Sequence, residues 1–228
     1  MRYNMTKTIT DIQQKYGALI AQKAFETGAI QLSVQKPFTW ASGYKMPIYN
    51  DNRRLLSIPD ARKLICQAFN EMLIALEYKP TWIAGVATGG IPHATSLADS
   101  LQLPLAYIRS ASKDHGLKNQ IEGLGSQASF EHKPVLVIED LISTGGSSIK
   151  AIEAVREQNG LVPFCFAIFS YGFDTALTAF QTADCKAYSI LDYTTMLETA
   201  VKQNYIDSEQ MSVLQTWRSD PFGWYTQD

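Results

Sequence analysis

The stretch Val135-Leu136-Val137-Ile138-Glu139-Asp140-Leu141-Ile142-Ser143-Thr144-Gly145-Gly146-Ser147 holds the densest chemistry of the chain. Four apolar residues predict a buried strand over residues 134–140, two acids stand at its end, and small hydroxyl residues and glycines then open a helix. Glycines and short side chains let backbone N–H groups approach a phosphate, and a helix N-terminus favours the anion there. Two carboxylates beside that phosphate would repel it, so Glu139 and Asp140 fit the hydroxyls of a sugar attached to it. The unit predicts a phosphorylated sugar as ligand. A plain strand, turn and capped helix would explain residues 143–147. It leaves two adjacent carboxylates at the end of a buried strand without a reason.

A second glycine-rich turn, Ala87-Thr88-Gly89-Gly90, follows the apolar Trp82-Ile83-Ala84-Gly85-Val86. Neither turn continues into Gly-Lys-Ser/Thr, so a Walker A loop is absent. Gly123-Leu124-Gly125-Ser126-Gln127-Ala128 fits the loose dinucleotide pattern, but no buried strand precedes it and Pro134 leaves no room for a following helix. Residues 110–127 contain Lys113, His115, Lys118, three glycines and few apolar anchors, and suit a closing lid.

The elements that must position these turns are readable from periodicity. Helices are predicted over residues 7–27, where Gly28 stops the pattern, and over 58–78, with Pro59 in the first turn. Short strands are expected at 29–33 and 36–40. From residue 81 onward strands and helices alternate: strands at 82–86, 105–108, 134–140, 161–170 and 188–191, helices at 92–101, 147–158 and 175–180, then a mostly helical end. Continuous apolar runs mark strands buried on both faces, as in parallel sheets. The class is α/β with a central, mostly parallel sheet flanked by helices. Ligands on such sheets sit at the C-terminal strand ends, where both glycine-rich turns fall.

At 228 residues, with 46% apolar and 18% charged residues, the chain can build a full core and is no disordered segment. A net charge of −2 gives no basic excess for nucleic acid. No apolar run reaches 18 residues and the N-terminus lacks a secretory apolar region, so neither membrane nor export is expected. Asn4-Met5-Thr6 is then a sequon without meaning. Cys66, Cys165 and Cys185 form no CxxC pair, and His93, His115 and His132 have no metal-ligand spacing. A reducing compartment, the cytoplasm, is expected.

The thirteen-residue string resembles the phosphoribosyl-pyrophosphate (PRPP) signature of the type I phosphoribosyltransferases. Three more segments resemble the orotate branch of that family, in its order. These are Phe38-Thr39-Trp40-Ala41-Ser42-Gly43-Tyr44-Lys45-Met46-Pro47-Ile48-Tyr49, then Gly85-Val86-Ala87-Thr88-Gly89-Gly90-Ile91-Pro92-His93-Ala94, and Tyr107-Ile108-Arg109-Ser110-Ala111-Ser112-Lys113-Asp114-His115-Gly116 with Asn119-Gln120-Ile121-Glu122-Gly123. The resemblance implies the type I fold, one domain over 1–228, with a hood mainly from 1–55 on a core of about 56–228. It implies that orotate and PRPP give orotidine 5′-monophosphate and pyrophosphate, with Mg²⁺ held mainly through PRPP.

Carried over, Glu139 and Asp140 would hold the ribose hydroxyls, and Ser143, Thr144, Gly145, Gly146 and Ser147 would cradle the 5′-phosphate. Ala87, Thr88, Gly89 and Gly90 would receive the pyrophosphate. Arg109, Lys113 and His115 would close over it, Lys113 and His115 acting from the partner subunit of a homodimer. Orotate would meet Lys45, Tyr49 and Thr144, with Arg53 and Arg54 as further cations for its carboxylate. An arginine that one branch carries after the next strand is replaced near Phe173. Thr88-Gly89 and Arg109-Ser110 resemble another, bacterial branch. Segment 38–49 and the lid set the chain apart from transferases of other bases. The absence of a basic excess, at a net charge of −2, sets it apart from a DNA-binding PRPP sensor.

Overall fold

The computed structural model describes residues 8–39, 43–109, 120–125 and 129–224. Helix α1 (Ile9–Glu26) starts at a capping box in which Thr8 and Asp11 satisfy each other's backbone N–H groups. Residues 30–39 and 45–50 form two small antiparallel sheets. One pairs β1 (Ile30–Leu32) with β4 (Ile48–Asn50), the other β2 (Phe38–Thr39) with β3 (Lys45–Met46). A 3₁₀ turn, Asn52–Ser57, leads into α2 (Pro59–Ala75), whose Pro59 sits where its missing N–H costs nothing.

The core sheet has six strands in the order β10-β9-β8-β5-β6-β7. They are β5 (Trp82–Val86), β6 (Leu105–Ile108), β7 (Ile121–Glu122), β8 (Val135–Ile142), β9 (Phe164–Ser170) and β10 (Lys186–Asp192). All neighbours are parallel except β7, which joins β6 antiparallel. Helices α3 (Gly90–Leu101), α4 (Gly146–Glu157), α5 (Asp174–Thr182), α6 (Tyr193–Lys202) and α7 (Ser208–Ser219) complete the chain. One apolar cluster joins α1, α2, α3, α6 and α7 to one sheet face. A second joins α4 and α5 to the other face. The first helix thus belongs to the core layer, because Ile12, Tyr16, Ile20 and Ala24 are buried on the sheet side.

Two sequence expectations shift. The signature strand runs two residues past Asp140, to Ile142, because β9 offers it partners: Glu139 lies opposite Ala167 and Leu141 opposite Phe169. The strand expected at 161–170 is regular only from Phe164, and Leu161 makes an isolated bridge to Pro134.

The strand order defines where a ligand sits. The connection from β5 through α3 to β6 runs toward one sheet edge, and that from β8 through α4 to β9 runs toward the other. Strands β5 and β8 are neighbours, so the turns leaving their C-terminal ends diverge and open a crevice between them.

Candidate active site

That crevice is a cleft of about 440 Å³. One wall is Ala87, Thr88 and Gly89, leading into the N-terminus of α3. The opposite wall is Ser143, Thr144, Gly145, Gly146 and Ser147, leading into the N-terminus of α4. Glu139 and Asp140 lie between them, and Asn50, Asp51 and Arg53 close a third side. Two helix N-termini therefore present unsatisfied N–H groups and positive dipole ends to one space. Gly145 turns the chain at φ +85°, a conformation that L side chains rarely adopt. The Ala87–Thr88 peptide bond is cis.

The two carboxylates have different surroundings. Asp140 is half-buried, and a Cβ on Gly89 would fall on its carboxylate, so the side chain lies directly over the β5 turn. The Asp140 backbone is held from the 3₁₀ turn, where buried Asn52 donates from Nδ2 to Asp140 O at 2.8 Å. Glu139 is only 4% exposed. Its carboxylate accepts from Ser147 Oγ and Ser148 Oγ, both at 3.3 Å, and from the Asp140 N–H at 3.1 Å. Burial first, then the neighbouring Asp140 carboxyl, raises its pKa well above the usual carboxylate range. Glu139 thus braces the first turn of α4, and Asp140 is the more open acid.

The structure brings together Ala87, Thr88, Gly89, Glu139, Asp140 and residues 143–147. Gly90 lies just behind the wall, where a Cβ would strike Ile138 O. Arg109 follows β6 at the same sheet end, with its guanidinium 3.6 Å from the Glu122 carboxylate and its N–H on Gln120 O at 2.9 Å. Arg109 is not among the described residues lining the cleft. Lys45 and Tyr49 are not among them either. Lys45 donates to Thr39 Oγ1 at 2.9 Å across its hairpin, and the Tyr49 ring leans on Phe38. Arg54 reaches Gly28 O at 3.2 Å. Lys113 and His115 lie outside the described residues, as does most of the expected lid.

The third side is what sequence reasoning missed. Arg53 was named only as one of three candidate cations, with Lys45 and Arg54, and Asn50 and Asp51 drew no notice. Asp51 caps the 3₁₀ turn by accepting from the Arg53 N–H, and takes a 2.6 Å ion pair from Arg53 Nε. That guanidinium holds the Asp51 carboxyl below its usual range. The alternation of Asn50, Asp51, Asn52 and Arg53 beside a strand was the available signal.

This architecture is that of a phosphoribosyl transferase domain, whose family model matches residues 51–169. The orotate phosphoribosyltransferase of Phocaeicola vulgatus is 44% identical over 209 residues, covering 90% of this chain and 95% of that protein. The crystal structure of orotate phosphoribosyltransferase from Aeropyrum pernix aligns with a TM-score of 0.68 at 27% identity, over 82% of this chain and 99% of that one. The Mycobacterium tuberculosis orotate phosphoribosyltransferase, solved in complex with PRPP, shares the fold with a TM-score of 0.60 at 24% identity, over 79% of this chain and 98% of that one. The chain belongs to the orotate phosphoribosyltransferase family.

Proposed function

We propose that the cleft transfers the 5-phosphoribosyl group of PRPP to N1 of orotate, giving orotidine 5′-monophosphate and pyrophosphate. Family membership supplies the activity, orotate phosphoribosyl transfer in pyrimidine biosynthesis. The observation that carries the assignment of roles is the convergence of two helix-opening turns on the Asp140 carboxylate. Residues 143–147 hold the 5′-phosphate with backbone and hydroxyl donors, and residues 87–90 receive the pyrophosphate. Asp140 faces the ribose hydroxyls, and Glu139 steadies the phosphate turn from behind through Ser147 and Ser148.

In the reaction the C1–O bond breaks with its electron pair leaving on pyrophosphate, as N1 of orotate bonds to C1 and gives up its proton. The sugar passes through a cationic state that the Asp140 charge stabilises, and the leaving anion is met by helix N-termini. Water would trap that cation, which gives the 110–127 segment its purpose as a lid. Arg109, Lys113 and His115 are assigned to the pyrophosphate side, Lys113 and His115 from the partner of a homodimer.

The residues present fit a divalent ion carried by the substrate. Among the described residues no group of three or more His, Cys, Asp or Glu could cage a metal, while the Asp140 and Asp51 carboxylates line the cleft. Mg²⁺ commonly binds through one or two carboxylates plus substrate phosphates. Bound there, it would neutralise charge on the departing pyrophosphate. Among the described residues no helix is long and apolar enough to cross a membrane. The place of work assigned here is the cytoplasm, and the domain assigned is a single one.

The test follows orotate absorbance on adding PRPP and Mg²⁺ to the purified protein. Loss of orotate with stoichiometric pyrophosphate is the expected result. Turnover of uracil, hypoxanthine or adenine with none of orotate would overturn the reading. PRPP with Mg²⁺ should also raise the melting temperature more than orotate alone, because the anion-binding turns are preformed.

A further inference from the structure

Arg109 stands apart from the cleft it is assigned to serve. Its backbone adjoins the turn after β5: Ile108 O, one residue earlier, accepts from the Ala87 N–H at 2.8 Å. Its own N–H donates to Gln120 O at 2.9 Å, on the far side. The side chain lies with β7 rather than with the cleft. Its Nη1 is 3.6 Å from the Glu122 carboxylate, and both side chains are 31% exposed. Strand register brings the acid there, because the antiparallel pair sets Ile121 opposite Ile108 and Glu122 opposite Tyr107.

Resting on the proposed reaction, we infer that Glu122 is a positioning residue that competes with pyrophosphate for Arg109. It draws the guanidinium away from the β5 turn and so sets how tightly pyrophosphate is held.

The hold is a loose one. At 3.6 Å the contact is an ion pair without a hydrogen bond. Nη1 is also shut off from water, with no hydrogen-bond partner among the described residues. A shielded charged donor left unmet is costly, so Arg109 gains by trading this place for one that meets its donors. Pyrophosphate meets them. Its oxygens accept two parallel charge-assisted bonds from one guanidinium, and it carries more charge than one carboxylate. Both backbone anchors of the Arg109 segment use main-chain atoms only, so the side chain can rotate while they stay in place.

A competitor of this kind serves turnover. Helix N-termini joined by an arginine with no other partner would hold the departing pyrophosphate tightly, and slow release of product limits many enzymes. A carboxylate that takes the arginine back weakens the hold on the product.

The experiment measures binding of pyrophosphate with Mg²⁺ to the full-length protein by calorimetry, beside product inhibition by pyrophosphate in the orotate assay. Glu122→Gln keeps the shape and removes the charge. It should bind pyrophosphate about 2–10-fold more tightly than wild type, the scale of a half-exposed ion pair no longer given up on binding. The PRPP KM should fall in step, and the orotate KM should stay within about twofold. Glu122→Asp, with its charge on a shorter stem, should lie between wild type and Glu122→Gln. In an Arg109→Ala background the Glu122→Gln change should alter pyrophosphate binding by less than about twofold. A merely structural role would loosen binding and would not tighten it.

Unchanged or weaker pyrophosphate binding in Glu122→Gln would overturn the inference. An equal gain in the Arg109→Ala background would overturn it too, since Glu122 would then act by plain repulsion of the anion. A wild type that binds pyrophosphate but consumes no orotate would instead remove the reaction proposed above. An active wild type whose Glu122→Gln variant gains no affinity would remove only Glu122.

Discussion

Gly89 and Asp140 are in direct contact across the neighbouring strands β5 and β8, and the carboxylate occupies the space where any side chain at 89 would begin. The glycine thus lets the acid lean over the adjoining turn, between the two glycine-rich walls of the cleft. Its neighbour Gly90 meets a different obstacle, the Ile138 backbone carbonyl.

The two glycines should therefore fail in different ways. In Gly89→Ala the carboxylate can swing aside, so turnover should fall about 10–100-fold with little change in melting temperature. In Gly90→Ala backbone must move, and stability should fall by about 1–3 kcal/mol. Steady-state rates and urea denaturation of both variants check this. A Gly89→Ala enzyme with wild-type turnover would mean that the pose of Asp140 is unimportant.

Glu139 should give stability an uncommon pH dependence. Its folded pKa lies above the ordinary glutamate value of 4.5, chiefly through burial. Above that value the folded state holds a proton that the unfolded state has released, so this residue's contribution to stability falls as pH rises. Glu139→Gln keeps the shape and removes the titration. Relative to wild type, its unfolding free energy should be higher at pH 8 than at pH 5, by about 1 kcal/mol or more. An identical difference at both pH values would mean that Glu139 is ionised in the folded protein.

Much of the core and two sides of the cleft were legible because their signals are local. A buried apolar run followed by a glycine turn declares strand, turn and helix within a dozen residues, and the chemistry falls inside that window. The third side was illegible for the opposite reason. The bond from Asn52 to Asp140 O spans 88 residues, and nothing near Asn52 says what it will meet. Lys45 and Tyr49 were expected at the base; here Lys45 bonds Thr39 across its hairpin, and the Tyr49 ring meets Phe38 of the neighbouring small sheet. The C-terminal end was legible only as mostly helical, and nothing local says that Trp217 is fully buried among the rings of Tyr171, Phe173 and Tyr193.

Trp217 also ties α7 to β3. Its indole Nε1 lies 3.2 Å from the sulfur of Met46 on β3. Trp217→Ala should cost about 3–5 kcal/mol, the scale for removing a large aromatic from a closed core. Trp217→Phe keeps most of the apolar contact and loses the polar one, so it should cost about 1–2 kcal/mol. Chemical denaturation of the two variants measures both. Equal losses would assign the whole effect to the indole N–H rather than to packing.

The dimer and its lid can be tested by combining two inactive proteins. Lys113→Ala should lose about 10²–10³-fold in turnover, the scale for one preorganised partner of a developing anion. Asp140→Asn should lose about 10²-fold or more, since its charge matters most when the sugar is most cationic. If Lys113 acts across the interface, a mixed dimer has one site with intact Asp140 from one subunit and intact Lys113 from the other. Its second site carries both defects. With free exchange about half of all dimers are mixed and half of their sites are whole, so activity should return to about one quarter of wild type. Light scattering fixes the dimer, and exchange of tagged subunits is proven before the assay. Exchange without recovery would place Lys113 in the same subunit as Asp140 or outside the chemistry. A monomeric active enzyme would remove the partner subunit from the site altogether.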